Sequence, residues 1–299
     1  MVDAMTLLFL FMILFGSAAG TLAFLRFRDR RAERAERARL LSKQPKHPPR
    51  FDPAMVAGLP EAARRYFAHA IAPDTPLFPV AEIDMRGRFS LRAPDYLPMQ
   101  AHQVLALPYG FIWQMRLCKG LPVSGSDTAT WTRFRIFGLF PVARAGGDAD
   151  HARSAFGRCV IEAVLWTPAA LLPGPGITWE GVSNTVARVT VTVGALSQSV
   201  DVTVRAGGRP VSVSMMRWSN ANPEKRYRLQ PFGGTLSDFR DVAGFCLPFR
   251  VEGGNMFGTE AYFPFYRAEV TAIRFPGAAR VPLTASERIP GAGSSPGPS

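Results

Sequence analysis

The polarity pattern of this chain changes period twice along its length. From Ala4 to Leu25 it has no period at all: 22 residues carry no charge and are rich in Leu, Phe and Met. At about 1.5 Å rise per residue that run spans about 33 Å as a helix, enough for a hydrocarbon core of about 30 Å. Between Leu59 and Ile71 the spacing becomes helical. Ala63, Tyr66, Phe67, Ala70 and Ile71 share one stripe, with Arg64, Arg65 and His69 opposite, so His69 is expected at the solvated surface. Pro60 suits a first turn, Glu61 suits the positive end of the helix dipole, and Pro73 ends the element.

From residue 80 the period falls to two. Ile83, Met85, Phe89 and Leu91 alternate with Asp84, Arg86, Arg88, Ser90 and Arg92, with Gly87 on the apolar side. Ala187, Val189, Val191 and Val193 repeat the pattern, as do Val200, Val202 and Val204 and then Val211, Val213 and Met215. Short Gly-containing connections between these runs (Gly194-Ala195, Gly207-Gly208) make the meander antiparallel, with one face buried and one wet. A second helix is read at about Ser154–Trp166, its stripe formed by Phe156, Cys159, Val160, Ala163 and Val164. The fold class is therefore α+β: an apolar N-terminal helix, then a mainly antiparallel, strongly curved sheet, an incomplete barrel with two covering helices.

Charge refines the layout. Of the net +12, the segment from Arg26 to Arg50 carries +7, from ten basic and three acidic residues. Half the excess thus sits beside the apolar run, where a topological role explains it without nucleic acid as a partner. Arg26, Arg28, Arg30 and Arg31 follow the run at once and no Lys or Arg precedes it, which predicts a single-pass membrane protein with a cytoplasmic C-terminal domain. A cleaved signal peptide competes for the same segment, but it needs a basic start, and the chain opens Met-Val-Asp-Ala-Met-Thr. The Arg/Ala/Glu-rich stretch to Lys43 is expected to prolong the helix until Pro45, Pro48 and Pro49 stop it. The division is then residues 1–25 anchor, 26–50 basic helix and Pro-rich linker, 51–284 one β-rich domain, and 285–299 a Pro/Gly/Ser tail read as disordered. Cys118, Cys159 and Cys246 are odd in number and form no C-x-x-C pair, so free buried thiols are expected.

Candidate chemistry is sparse. His47, His69, His102 and His151 show no metal spacing, no phosphate loop or nucleophile elbow appears, and no cofactor is implied. The Gly pairs at Gly207-Gly208, Gly233-Gly234 and Gly253-Gly254 read as turns or bulges. Three places stand out. Arg133 and Arg135 share a strand face with Trp131, a pattern that suits phosphate as well as plain wet-and-dry alternation. Glu162, near Trp166, is placed either to act as a partly buried acid or to pair with Arg158 four residues back. Around Gly253-Gly254, the polar Glu252, Asn255 and Thr259 suit either a polar site or a hairpin with a bulge.

These residues carry a family resemblance. Trp131-x-Arg133-Phe134-x-Ile136-Phe137-Gly138-Leu139-x-Pro141-Val142, then Gly157-Arg158, Glu162 and Trp166-x-Pro168, then Gly254-Asn255, Gly258-Thr259 and Tyr262-Phe263-Pro264-Phe265 are similar to a bacterial family known as a domain of unknown function. Trp166-Thr167-Pro168 departs slightly from a Trp-Leu-Pro turn common there. The resemblance covers about residues 55–275 and implies a curved sheet similar to lipoprotein-carrier folds, with no catalytic residues to transfer.

The reading that results is a non-enzymatic module on a lipid bilayer, holding an apolar or lipid-like ligand near Trp131, Arg133, Arg135, Glu162, Trp166, Asn255 and Thr259. The alternatives are an enzyme using Glu162, Asn255 or Glu252, and a membrane-tethered scaffold. The feature that separates them is whether the concave side of the sheet is open.

Overall fold

The computed structural model describes residues 4–278; the Pro/Gly/Ser tail lies outside them. The apolar run opens α1, a continuous helix from Ala4 to Leu41. It contains a stretch long and apolar enough to cross a membrane, with mean hydropathy 2.2. Nothing between Leu22 and Leu41 breaks a helix, because Arg, Ala, Glu and Leu are strong helix formers. The Ser42 and Lys43 amides close the last turn on Ala38 and Leu40, just ahead of Pro45.

After a short 3-10 turn at Pro53–Val56, α2 spans Glu61–Ala70. Six strands follow in meander: β1 (Val80–Arg92), β2 (Asp95–Ala106), β3 (Gly110–Leu117), β4 (Val123–Thr128), β5 (Trp131–Ile136) and β6 (Phe140–Gly146). Then come α3 (Ala149–Trp166) and seven more strands: β7 (Ile177–Gly181), β8 (Val186–Val193), β9 (Leu196–Val204), β10 (Pro210–Ser219), β11 (Arg228–Val242), β12 (Phe245–Asn255) and β13 (Phe263–Arg274). All thirteen form one antiparallel sheet in the order β6-β5-β4-β3-β2-β1-β13-β12-β11-β10-β9-β8-β7. The two meanders join where β1 pairs with β13, and β6 and β7 remain edges, so the sheet curves without closing. At this seam Gly87 is obligatory: a Cβ there would lie 2.0 Å from the Arg267 carbonyl oxygen.

Helices α2 and α3 cover the concave side, as the two stripes predict. The buried Tyr66 hydroxyl of α2 donates to the Val164 carbonyl of α3 at 2.7 Å, and the Trp166 indole donates to the Pro248 carbonyl at 3.2 Å. Burial pushes the Tyr66 phenol well above its ordinary pKa.

The structure also departs from the pattern-based reading. Helix α3 starts at Ala149 instead of Ser154, because the Asp148 side chain caps it by accepting from the His151 amide at 2.7 Å. Gly207-Gly208 is a turn and Gly253-Gly254 lies at a register shift between β12 and β13, as read, but Gly233-Gly234 sits within β11, facing Gly253-Gly254 across the β11–β12 pair. All three cysteines are free, yet only Cys159 is buried; Cys118 is exposed and Cys246 half-buried. His69 is half-buried edge-on against Phe239, with its Nε2 buried and unpartnered.

The convex side carries a cover that the periodicity did not announce. The second half of α1 crosses the strands there, and its contacts are ionic at one end and apolar at the other. Buried Asp29 meets Arg133 at 3.2 Å and Arg144 at 3.4 Å, and pairs most closely with Arg135. Glu33 accepts from Ser126 at 2.9 Å, Arg37 pairs with Glu82, and Leu40 packs with Val80, Val104, Ala106 and Ile112. Gln44 then ties the helix end to the sheet, accepting from the Val80 amide and donating to the Pro276 carbonyl.

Candidate functional site

Between the concave face and α3 lies a cavity of about 770 Å³. Its place follows from strand parity. On β3, β4 and β5 the inward positions are Trp113, Met115 and Leu117, then Val123 and Asp127, then Thr132, Phe134 and Ile136. From the other meander come Val213, Arg217, Phe232, Val251, Phe265 and Tyr266, and from α3 Arg158, Ile161, Glu162, Leu165 and Trp166. Most of this wall is apolar or aromatic, as in sites that hold small molecules.

Glycine makes part of the space. Gly233, Gly234 and Gly253 line the wall where β11 and β12 pair. A Cβ on Gly253 would meet only the Gly233 carbonyl oxygen, at 3.6 Å, so the cavity is wider there by the volume of a side chain.

A charged group of four lies within the apolar lining. Arg158 donates to Glu162 at 2.7 Å and to Asp127 at 2.7 Å, and its guanidinium stacks over Phe111 and Trp113. The second Glu162 oxygen accepts from Gln103 at 2.5 Å, and Asp127 also accepts from Thr132 at 2.5 Å. Burial opposes the Arg158 charge, but the two carboxylates prevail and raise its pKa. Arg217 differs. Among the described residues it has no ion-pair partner, its Nε is unpartnered, and it lies 4.9 Å over the Phe232 ring. Burial first, then repulsion from Arg158, push it down to about 10. Tyr266 is raised by burial, its hydroxyl resting on the Met85 sulfur.

The residues singled out from sequence separate into two groups. Glu162 and Trp166 line the cavity. Trp131, Arg133 and Arg135 do not: strand parity turns them to the convex face. There Arg133 stacks over Trp131 at 4.6 Å, and Arg133 and Arg135 both hold Asp29 of α1. Asn255 ends β12 opposite Phe232 and Phe263, and Thr259 is an exposed turn residue whose hydroxyl donates to the Met256 carbonyl. Neither lines the cavity. Glu252 borders it, with its carboxylate 3.5 Å from Arg267. Glu162, Glu252 and Asn255 therefore do not assemble into one polar cleft. Arg217 and Asp127 were missed, although each shares the parity of inward apolar neighbours, Val213 and Met215 for one and Val123 for the other.

Among the described residues no three His, Cys, Asp or Glu stand together as a metal site. Residues 49–268 match a family of unknown function, DUF6544. The chain belongs to this family. That match spans the whole cavity wall and bears out the resemblance drawn from the Trp131–Val142 and Gly254–Phe265 motifs. No curated protein matches this DUF6544 chain. Among solved structures it is similar to a LolA superfamily protein from Nitrosomonas europaea, at 9% identity and TM-score 0.38, covering 72% of this chain and 91% of that one. It is also similar to a putative outer membrane lipoprotein-sorting protein domain from Vibrio parahaemolyticus, at 9% identity and TM-score 0.31, covering 66% and 85%.

Proposed function

We propose that this chain is a membrane-anchored binding module that takes an apolar, lipid-like ligand into the cavity between the sheet and α3. The observation that carries the reading is the cavity itself: about 770 Å³ with an apolar lining, walled partly by bare glycines. Closing such a wall on a hydrocarbon chain gains about 25 cal/mol per Å² of apolar surface removed from water. Within the lining, Arg158 is matched by two carboxylates, whereas Arg217 is left without an ion-pair partner among the described residues. Arg217 is thus the donor available to the polar end of an amphiphile, and Glu162 and Trp166 keep the α3 wall in place beside it.

In the same reading α1 anchors the module in the bacterial inner membrane as a single span. Arg26, Arg28, Arg30 and Arg31 favour a cytoplasmic domain, because positive flanks are retained on that side. Protease protection of cells and inverted vesicles tests the orientation.

The ligand is tested by purifying the full chain in mild detergent, extracting it and identifying bound lipids by mass spectrometry. An amphiphile retained in near one-to-one amount by the wild type, and weakened by about tenfold in Arg217→Met, is the expected result. Recovery of no lipid above that carried by an unrelated single-span protein overturns the reading.

A further inference from the structure

The turn between β5 and β6 is built against its own chain's interest as a turn. Phe137 and Gly138 both take positive φ, 52° and 69°, the pattern of a tight primed hairpin. Asn or Asp is preferred at the first of these positions, and a bulky side chain there costs about 1–2 kcal/mol. The ring that bears this cost is 62% exposed. Leu139, Phe140, Val142 and Leu121 are exposed beside it, Leu121 being held close by the Phe137 amide on the Pro122 carbonyl. Together they make an apolar tip on an edge strand, a surface that soluble proteins avoid.

The position of this tip relative to α1 identifies what covers it. A Cβ on Gly138 would lie 3.9 Å from an Arg26 guanidinium nitrogen, and Arg26 is the first charge after the apolar run of α1. One turn further on, Asp29 is gripped by Arg135, whose other nitrogen donates to the Leu139 carbonyl at 2.6 Å. Tip and helix are thus locked at the level where the helix leaves the hydrocarbon. Around them stand Arg26, Arg28, Arg30, Arg31 and the half-exposed Arg144, a cationic collar suited to headgroups.

We propose that the β5–β6 hairpin is a second membrane contact, its Phe137, Leu139 and Phe140 side chains inserted into the bilayer that α1 spans. The inference rests on α1 being a span, and it adds an entrance to the cavity. Leu121, Ile136 and Val142 belong both to the hairpin region and to the cavity lining, so the mouth faces the membrane and a lipid chain passes along the hairpin without crossing water.

The test places the photocrosslinker p-benzoylphenylalanine, one site at a time, at Phe15, Phe137, Phe140 and Met216 of the full chain. The protein is reconstituted into vesicles of phosphatidylethanolamine and phosphatidylglycerol. Lipid adducts at positions 137 and 140 about as abundant as at 15, and about tenfold above those at 216, are expected for interfacial insertion. Phe137→Asn, a residue better suited to the turn, is expected to keep or raise thermal stability while lowering the adducts at 140 severalfold. Labelling at 15 but no more at 137 and 140 than at 216 overturns the proposal. No labelling at 15 overturns the span and the hairpin together. A diazirine fatty acid in the same vesicles, labelling the cavity wall or failing to, reports on the cavity separately.

Discussion

The two faces of this sheet each hold a buried arginine in an ion pair, with different consequences. On the convex face Arg135, 2% exposed, meets Asp29 of α1, and helix and strands close on each other along the line from Asp29 to Leu40. On the concave face Arg158 meets Asp127 of β4 and Glu162 of its own helix, and beside it a large apolar space stays open. In the first case the carboxylate comes from the element being docked, so the ion pair is a latch. In the second, one carboxylate lies on the same helix as the arginine, and the network fixes a wall while leaving room next to it. Charge burial by itself therefore does not tell a closed interface from a site; the packing around it does.

The sharpest way to break the comparison is to remove the latch. Asp29→Ala leaves Arg135 buried without its closest partner and is expected to cost about 3–5 kcal/mol of helix docking, since breaking a buried pair strands a charge. Hydrogen exchange should rise across residues 29–41 and 131–146. Replacing Asp29 and Arg135 together by apolar residues should recover much of the loss. Glu162→Gln is expected to cost less, about 1–3 kcal/mol, because Arg158 keeps Asp127. Denaturant midpoints of the full chain in detergent measure both, and equal losses would mean that the two networks do the same work.

Acid gives a gentler probe of the latch. Burial opposes ionisation of Asp29, but hydrogen bonds from Arg135 and Arg144 outweigh it and hold the carboxylate below its ordinary value. Its contribution is thus fully present above about pH 4, the unfolded value, and is lost as pH falls through the lower folded one. Protection of residues 29–41 should fall over that range in the wild type and stay flat in Asp29→Asn. The smallest effect is expected at an exposed convex pair: Arg86→Ala, which loses Glu269 at 3.1 Å, should cost under about 1 kcal/mol and leave ligand retention unchanged.

How far the sequence shows all this depends on the kind of contact each face makes. The concave side was legible where apolar alternation is clean, as in Ile83-Met85-Phe89 and Val200-Val202-Val204, and α2 and α3 followed from their stripes. β4 was not. Val123-Ser-Gly-Ser-Asp-Thr has no alternation because Ser126 faces a carboxylate of α1 and Asp127 faces Arg158. For the same reason the docked half of α1 read only as a basic helix beside the apolar run: Asp29, Glu33 and Arg37 pack by pairing, which no hydrophobic period records. The cavity was beyond reach in a different way. Inward apolar residues look alike whether they touch each other or surround a space, and the paired glycines of β11 and β12, which make part of that space, read only as turns or bulges.

That this room holds a ligand is tested most directly by Gly253→Leu. The backbone at Gly253 needs no positive φ, and the new side chain would enter the cavity with little in its way. A diazirine fatty acid should label peptides containing Trp113, Phe134 and Phe232 in the wild type. In Gly253→Leu it should do so about tenfold less, with the unfolding midpoint nearly unchanged. Equal labelling of wild type and variant, or labelling confined to the convex face, would contradict the account.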